Sequence, residues 1–150
     1  MTRGDDNAYD NRRLRFGLDI TSISPYYVFT AILMFFRIDK FMDIHDYTTT
    51  GGKNLIKEYI GTRPMDERRE IYKIRHEIIL NGFAAFQELN TRQLRGKLYE
   101  IKYADNRIIY VIRDSDNVYF LHACQKQKGK AEKFELDTAI KRAKELDLNI

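Results

Sequence analysis

Residues 98–126 read LYEIKYADNRIIYVIRDSDNVYFLHACQK, and this stretch decides the fold. Apolar and polar residues alternate in three runs, which are separated by turn sequences at Asp105-Asn106 and at residues 114–117. Alternation with a period of two is typical of strands, and turn residues between such runs indicate hairpins. The stretch therefore predicts three consecutive antiparallel strands.

The pairing of these strands predicts which side chains share a face. A two-residue turn at Asp105-Asn106 pairs Ala104 with Arg107, and the next turn pairs Arg113 with Val118. Paired residues point to the same side of a sheet. One face then carries charged and polar side chains above an apolar floor: Glu100, Lys102, Arg107, Arg113, His122 and Cys124 above Ile109, Val111 and Phe120. The other face is apolar and is expected to pack on helices: Tyr99, Ile101, Tyr103, Ile108, Tyr110, Ile112, Tyr119, Leu121 and Ala123.

The excess positive charge of the chain lies in the same region. Residues 92–150 contain 13 Lys/Arg and 9 Asp/Glu, whereas residues 1–91 contain 13 of each, so the net charge of +4 comes from the C-terminal part. Four lysines follow the third strand and rim one end of the charged face: Lys126, Lys128, Lys130 and Lys133. A basic face of this kind is typical of proteins that bind nucleic acid. An ordinary solvated sheet face is the alternative that the pattern leaves open.

The flanking segments predict helices. Before the sheet, the sequence predicts a strand over residues 35–41, a loop over residues 45–52, a helix over residues 53–60, and a second helix from Pro64 to Asn81-Gly82. Residues 83–95 are interpreted as a connector. After the lysines, one apolar stripe predicts a C-terminal helix: Leu136, Ala139, Ile140, Ala143 and Leu146. Three basic residues lie off this stripe and are interpreted as a solvated face: Lys141, Arg142 and Lys144.

Together these elements predict one α+β domain, with a small antiparallel sheet of three to four strands, two N-terminal helices on one face, and a C-terminal helix. Residues 34–150 are assigned to it. Residues 1–33 are interpreted as an extension that is either disordered or translated upstream of a natural start at Met34. The apolar stretch at residues 20–36 contains Pro25 and is shorter than the roughly 20 residues that a spanning helix needs, so a membrane or export role is the less favoured alternative.

The sequence lacks the residue patterns that a disulfide, a metal site or a phosphate-binding loop requires. The single cysteine, Cys124, excludes an internal disulfide and a thiol-only metal site, which fits a reducing cytoplasm. The three histidines are scattered without metal-ligand spacing, and no glycine-rich phosphate loop is present. No metal and no cofactor are therefore expected. Cys124 is interpreted as packing, because a lone cysteine in a strand is usually inert.

The sequence resembles the RelE/ParE toxin superfamily, and within it the HigB-like, phage-derived branch. The motifs that carry the resemblance are Leu98-Tyr99-Glu100-Ile101-Lys102-Tyr103, then Asn106-Arg107-Ile108-Ile109-Tyr110, then Phe120-Leu121-His122 with Lys126 and Lys130. The resemblance is clear over residues 94–146, weaker over residues 34–93 and absent before them. The chain departs from the family pattern at Gln127, which stands in place of a lysine. The resemblance therefore does not supply a second basic catalytic residue at this position.

This resemblance implies the toxin half of a type II toxin–antitoxin pair, with a helix-turn-helix antitoxin as partner. RelE-like and HigB-like members cut messenger RNA in the ribosomal A site, whereas ParE-like members inhibit DNA gyrase. A catalytically silent phage protein that only binds nucleic acid or a partner is the third alternative. If the chain is a messenger-RNA endonuclease, Arg107 binds a phosphate and Lys102 and Lys126 add positive charge beside it. Either Glu100 or His122 is then the general base. Nucleic-acid binding is assigned to Arg113, Lys128, Lys130 and Lys133.

Overall fold

The computed structural model describes residues 41–150, and every element named below lies in this part of the chain. Five strands are present: β1 (Asp43–Asp46), β2 (Thr91–Arg95), β3 (Leu98–Tyr103), β4 (Asn106–Ile112) and β5 (Asn117–Gln125). Four helices accompany them: α1 (Leu55–Gly61), α2 (Met65–Asn81), α3 (Phe83–Glu88) and α4 (Lys130–Glu145). The predicted α+β class is confirmed. The predicted boundary at Met34, the apolar stretch at residues 20–36 and the strand over residues 35–41 lie outside the described residues, apart from Phe41, which is in no strand.

The first two helices begin and end where the sequence places their capping residues. The side chain of Asn54 accepts a hydrogen bond from the backbone N–H of Lys57 at 2.8 Å and so caps α1. Pro64 precedes α2, and Gly82 ends it with a φ of 55°, which glycine adopts without strain. Both helices lie within two residues of the predicted ranges. Both α1 and α2 bury isoleucines at helical spacing: Ile56 and Ile60 in α1, and Ile71 and Ile78 in α2.

None of the helices in residues 41–150 is long and apolar enough to cross a membrane.

The sheet is larger than predicted and is mixed. Its strand order is β1-β5-β4-β3-β2, with β1 parallel to β5 and the other neighbours antiparallel. The prediction of three to four antiparallel strands was wrong in two places. β1 takes up part of the predicted loop at residues 45–52, because its backbone pairs with β5. β2 and α3 occupy the predicted connector at residues 83–95; β2 buries too little apolar surface to show in the residue pattern.

The hairpin of β3 and β4 keeps the predicted faces with a shifted register. Lys102 pairs with Arg107 and Glu100 pairs with Ile109, so Ala104 and Asp105 form the turn and Ala104 has a φ of 48°. The predicted turn at Asp105-Asn106 was wrong. The shift moves the pairing by two residues, and an even shift leaves each side chain on its face.

A bulge in β5 changes the face of the residues before His122. Ile109 pairs with His122, but Tyr110 pairs with Phe120, so Leu121 is an extra residue. Phe120 therefore packs against the helices α1 to α3, and its predicted place on the charged face was wrong. Tyr119 and Leu121 pack on the opposite side, again contrary to prediction.

The sheet has a core on each side. Between the sheet and α1 to α3 lies the larger cluster, whose buried members include Ile56, Ile78, Ile108, Tyr110 and Phe120. Beneath α4 lies a second cluster: Leu98, Ile109, Val111, Leu121, Ala139, Ala143 and Leu148. Each fully buried aliphatic side chain contributes about 1.5–3 kcal/mol, so α4 is held firmly over this half of the charged face. Val111, predicted as part of the apolar floor of the charged face, is covered by α4 instead, whereas Ile109 belongs to the same buried cluster and also lines the open part of that face, as predicted. Leu146 of the predicted stripe lies beyond the helix end and is exposed.

A buried ion pair ties the parallel strand β1 to α2. Both Nη atoms of Arg75 donate to the carboxylate of Asp46, at 2.7 and 3.1 Å, and Asn54 donates to the same carboxylate at 3.1 Å. The Asp46 side chain is 5% exposed and that of Arg75 is 14% exposed. Bidentate pairing with an added amide gives the Asp46 carboxylate three hydrogen bonds, which offset the cost of burying it.

We expect Asp46→Asn to lower the free energy of unfolding by about 3 kcal/mol, because it leaves the Arg75 guanidinium buried without its counter-charge. Urea denaturation followed by circular dichroism measures the change. Lys141→Ala is the matched control: the pair of Lys141 with Glu145 is exposed, so its loss changes stability by less than about 0.5 kcal/mol. Equal effects of the two substitutions would contradict the assigned role of Asp46.

Candidate nucleic-acid interface

A cavity of about 660 Å³ lies between the first half of α4 and the end of the sheet that carries the β3–β4 turn. Strands β2 to β5, the loop after β5 and α4 all contribute to its lining. Six cationic side chains line it: Arg92, Lys102, Arg107, Lys126, Lys128 and Lys133. The carboxylates that line it are Glu100, Glu132 and Glu135. The excess of cations makes the cavity suited to an anionic ligand.

Strand pairing brings four of these side chains to neighbouring positions on one face. Arg92 of β2 pairs with Glu100 of β3, and Lys102 of β3 pairs with Arg107 of β4. Arg107 in turn pairs with Cys124 of β5. Because directly paired residues project to the same side, side chains of four strands, β2 to β5, converge at this end of the sheet.

Glu100 lies at the floor of the cavity and is buried, with 5% of the residue exposed. Its Oε1 atom lies 2.8 Å from Nε of Arg92 and 3.7 Å from Nζ of Lys102. These contacts are electrostatic, since no hydrogen bond from the described residues is aligned on Oε1. Glu100 nevertheless lines the cavity, so it is the buried carboxylate that a bound ligand would lie nearest to.

The side chain of Arg107 is held by backbone carbonyl groups at the start of β4 and in the adjoining turn. Its Nη1 atom donates to the carbonyl oxygens of Ala104 at 3.0 Å and Asn106 at 2.7 Å. Within residues 41–150 its hydrogen bonds involve Nη1 alone, so Nε and Nη2 remain for a ligand. Arg107 lines the cavity, and a guanidinium with such N–H groups remaining binds two oxygens of a phosphate or carboxylate.

His122 shares the sheet face of Arg107, as predicted, but α4 covers it, and it does not line the cavity. Arg142 donates to Nδ1 of His122 at 2.7 Å and to the carbonyl oxygen of Leu121, while Nε2 of His122 contacts Glu135. Because arginine only donates, Nδ1 accepts and the ring hydrogen lies on Nε2, directed at Glu135. Burial lowers the pKa of His122 and the nearby Arg142 lowers it further, against the opposing effect of Glu135. The interpretation of Arg142 as part of a solvated helix face was wrong.

Three metal-binding residue types meet beside the cavity, which the spacing of the histidines did not predict. The donor atoms of His122, Cys124 and Glu135 lie within 4.8 Å of one another. Burial, Glu135 and Glu100 raise the pKa of the Cys124 thiol to about 12, so the thiol stays protonated and is a poor nucleophile at neutral pH. A cation would have to displace the thiol proton and the Nε2 hydrogen of His122, close to Arg142. This arrangement fits a hydrogen-bonded pair better than a metal centre.

The other predicted residues separate into two groups. Lys126, Lys128 and Lys133 line the cavity, and the backbone N–H of Lys126 donates to the carbonyl oxygen of Asp105 at 2.6 Å, which fixes the loop to the β3–β4 turn. Lys130 begins α4 and is exposed outside the lining. Arg113 lies just past the far end of β4, where it donates to the hydroxyl of Tyr119 at 3.2 Å. The structure therefore does not bring Arg113 into the cavity.

The sequence analysis missed Arg92, Glu132 and Glu135. Arg92 lies on β2. The turn from β2 to β3 contains Gly96, which has a φ of 54°. That glycine was the available signal for a further hairpin. Glu132 and Glu135 lie on the cavity side of α4, and helical spacing places them beside the apolar stripe.

The hydrogen-bonded state of His122 predicts a pH dependence of stability. Because its pKa is lowered in the folded protein, the unfolded chain binds a proton that the folded chain does not, and stability falls as the pH decreases below about 6.5. One such proton changes the free energy of unfolding by up to about 1.4 kcal/mol per pH unit. We expect His122→Gln to flatten this slope in denaturation curves between pH 7 and pH 5, and the exposed His76→Gln to leave it unchanged. Parallel slopes for both variants and the unsubstituted protein would contradict the assignment.

Comparison with protein families identifies the family of the region that contains the cavity. A family model described as "Phage derived protein Gp49-like (DUF891)" matches residues 58–144, which is more than half of the chain and includes every residue that lines the cavity. A search of curated proteins finds no match. The matched region extends from within α1 to the last turn of α4, so it contains the four antiparallel strands as well as the site. The chain therefore belongs to the Gp49-like family of phage-derived proteins, within the RelE/HigB-like group of toxins.

Proposed function

We propose that this chain is the toxin of a type II toxin–antitoxin pair, of the HigB-like kind, and that it cuts messenger RNA on the ribosome. One observation carries the proposal: a buried carboxylate, Glu100, lies on the floor of a cavity lined by six cations. The toxin-like family implies an antitoxin partner in general. A helix-turn-helix antitoxin, the ribosome and messenger RNA are the finer parts of the proposal.

The charge of the cavity supports a polyanionic substrate. Lys126, Lys128 and Lys133 lie on the loop and on the first turn of α4, so they form a rim around the deeper Arg107 and Lys102. Neutralising several phosphates at once releases counterions and gives affinity that falls steeply with salt. A rim of this kind binds a strand along its backbone, while the deeper residues act on one phosphodiester.

The residues present supply the parts of an RNA transesterification. Glu100 removes the proton of the ribose 2′-hydroxyl, and the resulting oxygen attacks the adjacent phosphorus. The free N–H groups of Arg107 bind the non-bridging oxygens, whose negative charge grows in the transition state. The bond from phosphorus to the 5′-oxygen then breaks, and a rim or floor ammonium, Lys126 or Lys102, gives that oxygen a proton. The products are a 2′,3′-cyclic phosphate and a 5′-hydroxyl.

The geometry favours Glu100 over His122 as the general base. A base must lie within hydrogen-bonding distance of the proton that it removes. Glu100 lines the cavity, whereas His122 lies under α4 with both ring nitrogens engaged by Arg142 and Glu135. His122 in this proposal fixes α4 to the sheet.

We expect Arg107→Ala to abolish growth inhibition, because it removes the group that binds the reacting phosphate, with a loss of cleavage of at least about a hundredfold. Growth after induction and mapping of transcript ends, at equal protein levels, give the readout. Arg113→Ala is the matched control, since it removes the same side chain at the far end of β4 and should leave inhibition intact. Growth arrest that survives Arg107→Ala would refute the phosphate-binding role. An SOS response without cuts in translated codons would favour a gyrase inhibitor instead.

Glu100→Gln tests the general base. We expect cleavage of messenger RNA in a reconstituted translation system to fall by about 10²–10⁴-fold, because the amide keeps the shape of the carboxylate and cannot take a proton at neutral pH. Binding of RNA should persist, since the substitution removes a negative charge from the cavity. His122→Gln should retain most of the cleavage activity. A larger loss for His122→Gln than for Glu100→Gln would reverse the assignment of the base.

A further inference from the structure

Arg92 forms two ion pairs of different character at the edge of the cavity. On the inner side, its Nε lies 2.8 Å from Oε1 of the buried Glu100. On the outer side, its Nη2 donates to Oε1 of Glu132, in the first turn of α4, also at 2.8 Å. The side chains of Arg92 and Glu132 are 47% and 51% exposed, whereas that of Glu100 is 6% exposed. The inner contact is therefore protected from water and the outer contact is open to it.

The outer contact has the geometry that a phosphate would adopt. A carboxylate oxygen that accepts from a guanidinium N–H is close in distance and charge to a phosphate oxygen in the same place. Lys128 and Lys133 line the same cavity, lie close to Glu132 along the chain, and would add two ammonium groups for such an anion. Arg107, the first phosphate ligand of the proposed reaction, lies two strands away from Arg92 in the sheet.

The geometry points to a second phosphate subsite at Arg92, which Glu132 occupies as an internal competitor when no ligand is bound. The ligand is a phosphate group of a single-stranded nucleic acid, so the inference rests on the proposed function for the identity of that ligand. Binding of a phosphate exchanges one ion pair for another: the Nη2 atom of Arg92 leaves the Glu132 carboxylate and donates to a phosphate oxygen. Glu100 keeps Arg92 in position throughout the exchange.

Arg92 adds a guanidinium from β2 to the cationic side chains of the cavity. Because the Arg92–Glu132 pair is exposed and screened by solvent, it is weak enough for a phosphate to displace it.

The test measures binding of a nucleic acid that the protein cannot cut. A fluorescently labelled single-stranded 2′-O-methyl RNA lacks the attacking hydroxyl, and its anisotropy reports the dissociation constant at fixed salt. We expect Glu132→Gln to bind about three- to tenfold more tightly, because it removes both the competitor and a repulsive charge. The matched control is Asp137→Asn, which removes the same charge from the exposed side of α4 and should change affinity by less than about twofold. Equal gains for both variants would overturn the inference.

A double-mutant cycle separates competition at Arg92 from general charge. In a protein that carries Arg92→Gln, adding Glu132→Gln should increase the affinity for the labelled RNA by no more than Asp137→Asn does. If thermal melting shows that Arg92→Gln is unfolded, Arg92→Lys replaces it, since lysine keeps the positive charge but cannot donate to two carboxylates at once through a guanidinium. A gain that persists undiminished when Arg92 is replaced would overturn the inference.

A second probe distinguishes failure of this inference from failure of the proposed function. Inorganic pyrophosphate should raise the melting temperature of Glu132→Gln more than that of Asp137→Asn, whether or not the protein acts on RNA. If messenger RNA is not cut but pyrophosphate shows this difference, the subsite stands and the endonuclease proposal fails. If messenger RNA is cut and neither probe distinguishes Glu132→Gln from Asp137→Asn, the subsite fails and the endonuclease proposal stands.

Discussion

The site depends on one hydrogen-bonded side chain, that of Asn106. It is 1% exposed, its Oδ1 accepts from the Tyr59 hydroxyl at 2.6 Å, and its amide donates to Glu67 at 2.8 Å. Burial raises the pKa of Tyr59 to about 12, so the hydroxyl keeps its proton and remains a donor. These bonds fix Asn106 within β4 rather than in the turn, and the register of β3 on β4 follows. Lys102 then lies directly opposite Arg107, and the carbonyl oxygens of Ala104 and Asn106 hold the Arg107 guanidinium.

The second constraint is the position of α4. Ala139 and Ala143 are fully buried, and their small side chains let the helix approach the sheet closely. The bulge at Leu121 supplies an apolar residue beneath the helix, and Arg142 joins the helix to β5 through Leu121 and His122. The helix therefore closes one half of the charged face and leaves the other half open as the cavity. The same packing that stabilises the fold sets the boundary of the site.

The sequence predicted the parts of this arrangement that depend on local periodicity. The helices α1, α2 and α4 follow from isoleucine, leucine and alanine spacing, and the shared face of Glu100, Lys102 and Arg107 follows from alternation. The register of the hairpin could not be predicted, because Asn106 bonds to partners 39 and 47 residues away. β2 was missed because its stability comes from backbone pairing with β3. The bulge was missed because an extra apolar residue within an apolar strand leaves no pattern, and the burial of His122 depends on that bulge and on α4.

The imbalance of charge around the cavity has a consequence for the protein before it meets any partner. Six cations and three carboxylates share a small space, so the ligand-free fold contains mutual repulsion that folding must overcome. Any anion that enters relieves this repulsion, and its binding energy adds to the free energy that separates the native chain from its unfolded ensemble. The charge that makes the cavity suited to an anion is therefore also a cost to the stability of the empty fold.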